Sequence, residues 1–327
     1  MKTVVTGGTG FIGSHLVKRL VDEGRQVLVA SEFSQLGTEN LSNLGVEVEC
    51  QNVDLRDYQQ ALSVIDGAEV VFHLAARVGS LEYLHGTEMS ELVALQTNLV
   101  IDANIFRACM EKNVKKIVYA SSVAVYPMPV QYSSGAVFSE DDLVLGHETQ
   151  GLIDPDGGYG WTKFMGEIEL GWMKGIDIGI ARIFNIYGTN EPLGEKAHVV
   201  ADLIRKAIRY PQEPFIVWGD GKQSRDFLYV SDCADALLKL EEKASDPPIT
   251  VNVGSDKAVT IGLLAEKIVG LSGKDIEIVY DPARPMGPLS RTADTSKTKA
   301  VLRWEPKIGL DEGLRRIYAW LASRLKG

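Results

Sequence analysis

Short runs of β-branched and aliphatic residues alternate along the first half of the chain with longer segments whose apolar positions recur at helical spacing. Residues 2–6, 26–30, 46–50, 69–74, 116–121 and 177–183 have the composition of buried strands, and the connecting segments, such as 12–23, have the periodicity of amphipathic helices. A β-α-β-α order implies a parallel sheet with helices on both faces, because parallel neighbours need crossover connections and right-handed crossovers pack back onto the sheet. The fold class expected is therefore α/β, with a doubly wound parallel sheet. After about residue 184 the alternation breaks into shorter elements separated by Pro and Gly, which points to a smaller C-terminal α/β region over residues 184–327. Part of it should return to the first domain (1–183), since 231–241 is helix-like and 250–253 strand-like; residues 228–254 are assigned to that return. Residues 127–158 lack periodicity and are long for a connection, so a lid over a binding site is expected there.

Composition narrows the possible partners. The 327 residues carry a formal net charge of -10, and 45% are hydrophobic. An acidic chain lacks the concentrated positive charge that nucleic acid or an anionic membrane requires, so neither is expected as a partner. No apolar run approaches the roughly 20 residues that span a bilayer, and Met1-Lys2 leads directly into a strand-like run with no signal-peptide pattern. Cys50, Cys109 and Cys233 are widely separated and odd in number, which suggests neither a disulfide framework nor a zinc site. No metal is expected, and a reducing, cytoplasmic location fits. His147, His198 and Cys233 have no partners at metal-like spacing and are read as structural.

Chemistry first shows itself in Thr6-Gly7-Gly8-Thr9-Gly10-Phe11-Ile12-Gly13, which follows the first strand and opens a helix. Gly7 would permit the turn, Gly10 would let backbone approach a pyrophosphate, and Gly13 would let helix and strand pack closely. The amides of the helix start, through Phe11 and Ile12, would face the negative charge. This is the pattern of a dinucleotide-binding, Rossmann-type domain. The second strand ends in Ser31-Glu32. An acidic residue there hydrogen-bonds the adenosine ribose and repels a 2′-phosphate, and no arginine follows closely, so NAD is expected over NADP, with NADP not excluded. Asp54-Leu55, past the third strand, would meet the adenine edge or cap the next helix. Leu74-Ala75-Ala76 would let a cofactor lie against backbone after the fourth strand.

Ser121-Ser122 ends the fifth strand, and Tyr159-Gly160-Trp161-Thr162-Lys163 starts a later helix. Tyr and Lys four apart share a helical face and reach one point. A phenol, with a pKa of about 10, becomes a usable base when a neighbouring ammonium and a positive nicotinamide ring favour its phenolate. Tyr159 would then take an alcohol proton as hydride leaves for the cofactor, with Ser122 holding the oxygen and Lys163 reaching the phenol or the nicotinamide ribose.

Together with Leu74-Ala75-Ala76, Asn98, Tyr119-Ala120-Ser121-Ser122, Arg182-Ile183-Phe184-Asn185 and Gly219-Asp220-Gly221-Lys222-Gln223-Ser224-Arg225-Asp226-Phe227, these motifs make the chain resemble an extended short-chain dehydrogenase/reductase of the nucleotide-sugar epimerase/dehydratase family. The resemblance spans nearly the whole length. It implies a nucleotide-diphosphate sugar as substrate, cofactor contacts from Asn98, Ala120 and Phe184, and a substrate diphosphate held by Asn185 and by Arg225 with Arg284 or Arg291. It also implies a homodimer formed through residues 98–110 and 163–173. Dehydrating relatives carry acidic residues after the active-site hydroxyl, and many decarboxylases carry a Glu there. Here Val123-Ala124-Val125 follows, which disfavours dehydration. Local runs, notably Gly194-Glu195-Lys196-Ala197, are similar to GDP-mannose 3,5-epimerases and UDP-hexose 4-epimerases. Lys196 matches a proton-transferring lysine of the former, but Ala124 stands where they carry a cysteine. C4 epimerisation of an NDP-hexose or NDP-hexuronate through a transient 4-keto sugar is thus expected. An NADPH-dependent 4-keto-sugar reductase, a 3,5-epimerase-like enzyme and a non-catalytic dinucleotide-binding regulator remain alternatives.

Overall fold

A computed structural model describes residues 1–32, 37–143 and 153–325. His147 and part of the expected lid lie outside the described residues. The main sheet is formed by β1 (Lys2–Thr6), β2 (Gln26–Ser31), β3 (Glu49–Asn52), β4 (Val70–His73), β5 (Lys116–Ser122), β6 (Asp177–Ile183) and β7 (Ile249–Val253). The spatial order is β7-β6-β5-β4-β1-β2-β3 and every neighbouring pair is parallel. The order reverses at β1, so β1 and β4 are hydrogen-bonded neighbours whose connections leave in opposite directions, and a ligand-sized crevice is expected outside their carboxyl ends. The third strand begins at Glu49, later than its β-branched run suggests, because it pairs with β2 from Leu28 to Ser31 only.

Both faces are covered. On one, Val4, Leu28, Val71, Ile117 and Ile178 pack against α2 (Tyr58–Ile65) and α3 (Glu88–Glu111) through Ala61, Ile65, Ile105 and Phe106. On the other, Val5, Val29, Phe72 and Val118 meet α1 (Phe11–Asp22) and α5 (Val230–Lys243), while α4 (Gly157–Trp172) packs beside α3 on the first face through Leu170. Burying such strands on both sides removes their apolar area from water at about 25 cal/mol per Å². After β6 the chain leaves the main sheet, and it comes back to it through α5 and β7.

The C-terminal region has a sheet of its own. Strand Ser224–Tyr229 pairs in parallel with Asn185–Tyr187 and with Ser290–Ala293, and antiparallel with Ala258–Thr260. Strand Ser290–Ala293 also takes up Val137–Phe138, so the aperiodic stretch after residue 127 is partly built into this sheet. Its contribution is a separate apolar cluster of Val123, Tyr126, Phe138, Leu143, Phe164 and Phe184. Among the described residues of that stretch only a few, widely spaced apolar side chains are buried, in keeping with its lack of a period in sequence.

Candidate active site

The turn after β1 is held by Gly7 N–H to Ala30 O at 2.8 Å and Gly10 N–H to Gly7 O at 2.9 Å. Gly7 has φ +70, and a Cβ there would lie 2.8 Å from Ala75 N, so the first turn and the end of β4 are packed backbone to backbone. At Gly13 a Cβ would strike the Gly7 carbonyl and come 2.8 Å from Gly8 Cα. Gly10 differs, since a Cβ there would meet only Gly7 O, at 3.1 Å. The protein's own packing leaves that face of the turn open, as close approach by a pyrophosphate requires, and the start of α1 at Phe11 and Ile12 presents its amides beside it. The donor set and the open cradle fit a dinucleotide.

Ser31 is buried and its Oγ accepts from Thr9 N–H at 3.3 Å, so it braces the turn, while Glu32 stands exposed. Arg56, distant in sequence, carries its charge close enough to feel Glu32. Its guanidinium is already held by Asp54, with contacts of 2.7–3.1 Å, and that pairing holds the Asp54 carboxyl below its usual range. The helix cap proves to be Asp57, which accepts from Gln59 and Gln60 N–H, so Asp54 itself caps nothing and is committed to Arg56. Leu55 is buried with its carbonyl accepting from Asn104. Asn98 is fully buried, and its amide exchanges both bonds with the Arg77 backbone, at 2.6 and 3.1 Å. It thereby fixes the chain just beyond Leu74, Ala75 and Ala76, which line the partly open edge of β4.

Ser122 lies beside the Tyr159 phenol, close enough to favour its ionised form. Ser122 Oγ also accepts from Ala124 N–H at 3.1 Å, and Ala124 O in turn accepts from Asp156 N–H at 2.8 Å, which docks the start of α4 onto the end of β5. The Lys163 ammonium is buried, 5.9 Å from the centre of the Tyr159 ring and 4.5 Å from that of Tyr119. Burial pushes the phenol up to about 12, partly offset by Ser122. The ammonium sits against Tyr119, and burial opposes ionisation of the Tyr159 phenol more than the protein's own cations favour it. Burial likewise lowers Lys163, with Asp102 and Glu167 opposing.

A pair of guanidiniums stands on the C-terminal sheet, near the start of α4. Arg225 and Arg291 are register partners on adjacent strands. Arg291 pairs with Asp156 and donates to Gln131 Oε1 at 2.6 Å. Among the described residues Arg225 has only carbonyl acceptors, Ser224 O at 2.7 Å and Met286 O at 3.3 Å. Burial and then the adjacent Arg291 bring it down to about 9, as expected for a cation awaiting an anion. Arg284 is not brought to this pair; it lies on its own turn beside Asp281 and over Trp218, 5.5 Å from the ring centre. Asn185 leaves its Oδ1 buried without a partner, the mark of an acceptor kept for a ligand. Phe184 is buried behind it, Ala120 lies partly open on β5, and Lys196 stands over the Tyr83 ring at 4.9 Å. His198 faces buried Glu191 at 3.5 Å, and Cys233 is in the core.

Sequence reasoning missed the polar groups that hold this arrangement. Glu167 accepts from Ser121 Oγ at 2.5 Å and binds Arg182 at 2.8 Å. Glu91 reaches from α3 to Gly158 N–H at 2.5 Å, and Asp102 lies under Lys163. The spacing of Tyr159, Lys163 and Glu167, four and four again, was a legible signal for one of them.

Comparison with known proteins agrees with this geometry. A model of the NAD dependent epimerase/dehydratase family matches residues 3–254. The chain is 31% identical to "GDP-mannose 3,5-epimerase 1" of Oryza sativa subsp. japonica, covering 100% of this chain and 83% of that one. It is 32% identical to "Putative UDP-glucose 4-epimerase" of Methanocaldococcus jannaschii, covering 98% of each. Among solved structures it resembles UDP-glucuronic acid 4-epimerase from Bacillus cereus in complex with UDP-glucuronic acid and NAD, with a TM-score of 0.84, 26% identity, and coverage of 99% and 100%.

Proposed function

The chain belongs to the NAD dependent epimerase/dehydratase family, and from that premise we propose that it inverts C4 of a nucleotide-diphosphate hexose or hexuronate using NAD. The observation that carries the reading is the convergence of Ser122, Tyr159 and Lys163 near Arg291 and the buried Arg225, which has no carboxylate partner among the described residues. We take residues 1–183 with 228–254 as the dinucleotide-binding part and the remainder as the substrate-binding part.

When bound, NAD supplies the carbon that accepts hydride and returns it. The chain's own groups do the rest. Gly7, Gly10 and Gly13 shape the turn for the pyrophosphate, Glu32 meets the adenosine ribose, and the Leu74–Ala76 edge receives the nicotinamide half. Arg56 is tied to Asp54, so it does not offer a ready site for a 2′-phosphate, which supports NAD. Tyr159 Oη takes the C4 hydroxyl proton and gives it back, while Ser122 holds the same oxygen. Lys163 offers its donors to phenol and ribose and keeps positive charge beside them. Arg225, Arg291 and Asn185 grip the diphosphate, so binding strength falls on the nucleotide and the hexose is free to present its other face to the returning hydride. Val123-Ala124-Val125 puts no acid beside the sugar, which argues against elimination.

Exposed Met89, Leu92, Val100 and Met110 on α3, with Trp161, Met165 and Trp172 on α4, form apolar stripes whose burial against a second copy supports a homodimer. No helix among the described residues is long and apolar enough to cross a membrane. Three free thiols support the cytoplasm as location. The test is incubation of the purified protein with UDP-, GDP- and dTDP-sugars, following C4 inversion by NMR. Turnover of one series is expected, and inertness toward every member would end the reading.

A further inference from the structure

Beneath Lys163 lies a group of buried polar side chains that the reaction as described leaves unused. Asp102, on α3 and 2% exposed, accepts from Tyr119 Oη at 2.6 Å and meets His73 Nε2 at 3.0 Å. His73 Nδ1 faces Thr6 Oγ1 at 2.6 Å, and that oxygen already accepts from Leu74 and Ala75 N–H at 3.2 and 3.3 Å. With its lone pairs so used, Thr6 donates to Nδ1; the histidine proton is then on Nε2 and points at Asp102. Asp102 thus receives two hydrogen bonds and stays ionised. Burial opposes this, but Lys163, His73 and Tyr119 together hold the carboxyl below its usual range.

Lys163 has no hydrogen bond or ion pair among the described residues, and its ammonium rests on the face of Tyr119, the same ring whose hydroxyl donates to Asp102. A phenol that donates to a carboxylate gains electron density, which strengthens its attraction for a cation on its face. Helix α4 makes room for the contact: a Cβ at Gly166 would stand 2.5 Å from Tyr119 Oη. The anion is therefore one ring away from the ammonium. Its charge is compensated without a direct bridge that would use up the lysine's donors.

We propose that Asp102, acting through Tyr119, is the buried anion that positions Lys163 and sets the protonation of the Tyr159/Lys163 pair. Both are positioning residues, and the proposal rests on that pair being the reacting groups. Besides Asp102 and Tyr119, the charged or titratable groups facing the pair are His73 from β4, Glu167 from α4 itself and Arg291 from the C-terminal sheet. All stay in place in the variants below.

The Asp102 charge raises both Lys163 and Tyr159, so its removal lowers both. Asp102→Asn keeps the shape and an acceptor. In the full NAD-loaded enzyme it is expected to move both limbs of the kcat–pH profile to lower pH by about one unit, with KM within about twofold. General structural damage would not shift both limbs together. Tyrosinate titration gives a second readout without turnover. The difference between Asp102→Asn and Asp102→Asn/Tyr159→Phe should place the phenol below the value from the wild-type and Tyr159→Phe pair. Should Asp102→Asn not accumulate folded, Tyr119→Phe keeps the ring, cuts the link, and is expected to shift both readouts the same way by less. A folded variant whose profile and titration superimpose on the wild type overturns the proposal. A wild type inert toward all sugar nucleotides would sink the enzymatic reading, and the titration would still judge this inference.

Discussion

Glu167→Gln removes a charge from a place where water cannot replace it. Glu167 is 0% and Arg182 3% exposed at the side chain, and the carboxylate takes Arg182 Nε and Nη2 at 2.8–3.2 Å as well as Ser121 Oγ. The other guanidinium donors go to Tyr126 Oη and to the carbonyls of Glu140 and Leu143. This one ion pair therefore joins α4, β6, the end of β5 and the segment after residue 127. Glutamine fits the space but turns an NH2 toward a buried guanidinium, leaving that cation without its counter-charge. Breaking a buried pair by removing one partner costs about 3–5 kcal/mol, and at about 2 °C per kcal/mol for a chain of this size Tm should fall by roughly 6–10 °C. Scanning calorimetry of the wild type, Glu167→Gln, Arg182→Met and the double variant Glu167→Leu/Arg182→Met measures it. The double variant should recover much of the single-variant loss, because no lone buried charge remains. A single variant within about 1 kcal/mol of wild type, or a double variant as unstable as the sum of the singles, would refute the reasoning.

Gly13→Ala should abolish copurifying nicotinamide, because the new methyl strikes the Gly7 carbonyl and forces the turn apart; a normal nucleotide content on denaturation would show that the turn yields. Arg225→Met removes a buried cation with no carboxylate partner among the described residues, and should raise KM for the sugar nucleotide about 10–100-fold while changing kcat less. An unchanged KM in steady-state assays would remove Arg225 from the substrate site. Met165→Glu together with Trp172→Glu should yield monomers in sedimentation velocity, since both side chains lie on the exposed stripe of α4; dimers persisting in that variant would place the interface elsewhere.

The parallel sheet was legible in the chain because strands buried on both faces are written as continuous apolar runs, and the glycine turn because steric demands leave few residues able to stand at Gly7 and Gly13. The Tyr159/Lys163 pair was legible for a similar reason, four-residue spacing on one helix. What could not be read was contact between distant segments. Asp102 is one acidic residue on a helix, and only the fold shows that Tyr119 and His73 converge on it. The same holds for Arg56, which the sequence places far from Glu32 and the sheet brings near. The partner of Arg225 was open between Arg284 and Arg291, and strand register sets Arg291 beside it and leaves Arg284 beside Trp218. Spacing also reports only a shared helix face for Tyr159 and Lys163, not which ring the ammonium rests on or how far burial opposes ionisation of the phenol.

The central claim is that Tyr159 takes a sugar hydroxyl proton as hydride leaves for bound nicotinamide. Its most direct measurement is the reduced-nicotinamide absorbance that appears when an active sugar nucleotide is mixed with NAD-loaded protein. The account expects that signal in the wild type and its loss by a factor of about 10²–10⁴ in rate in Tyr159→Phe, with NAD content unchanged. A Tyr159→Phe protein that reduces its nicotinamide at the wild-type rate would contradict it.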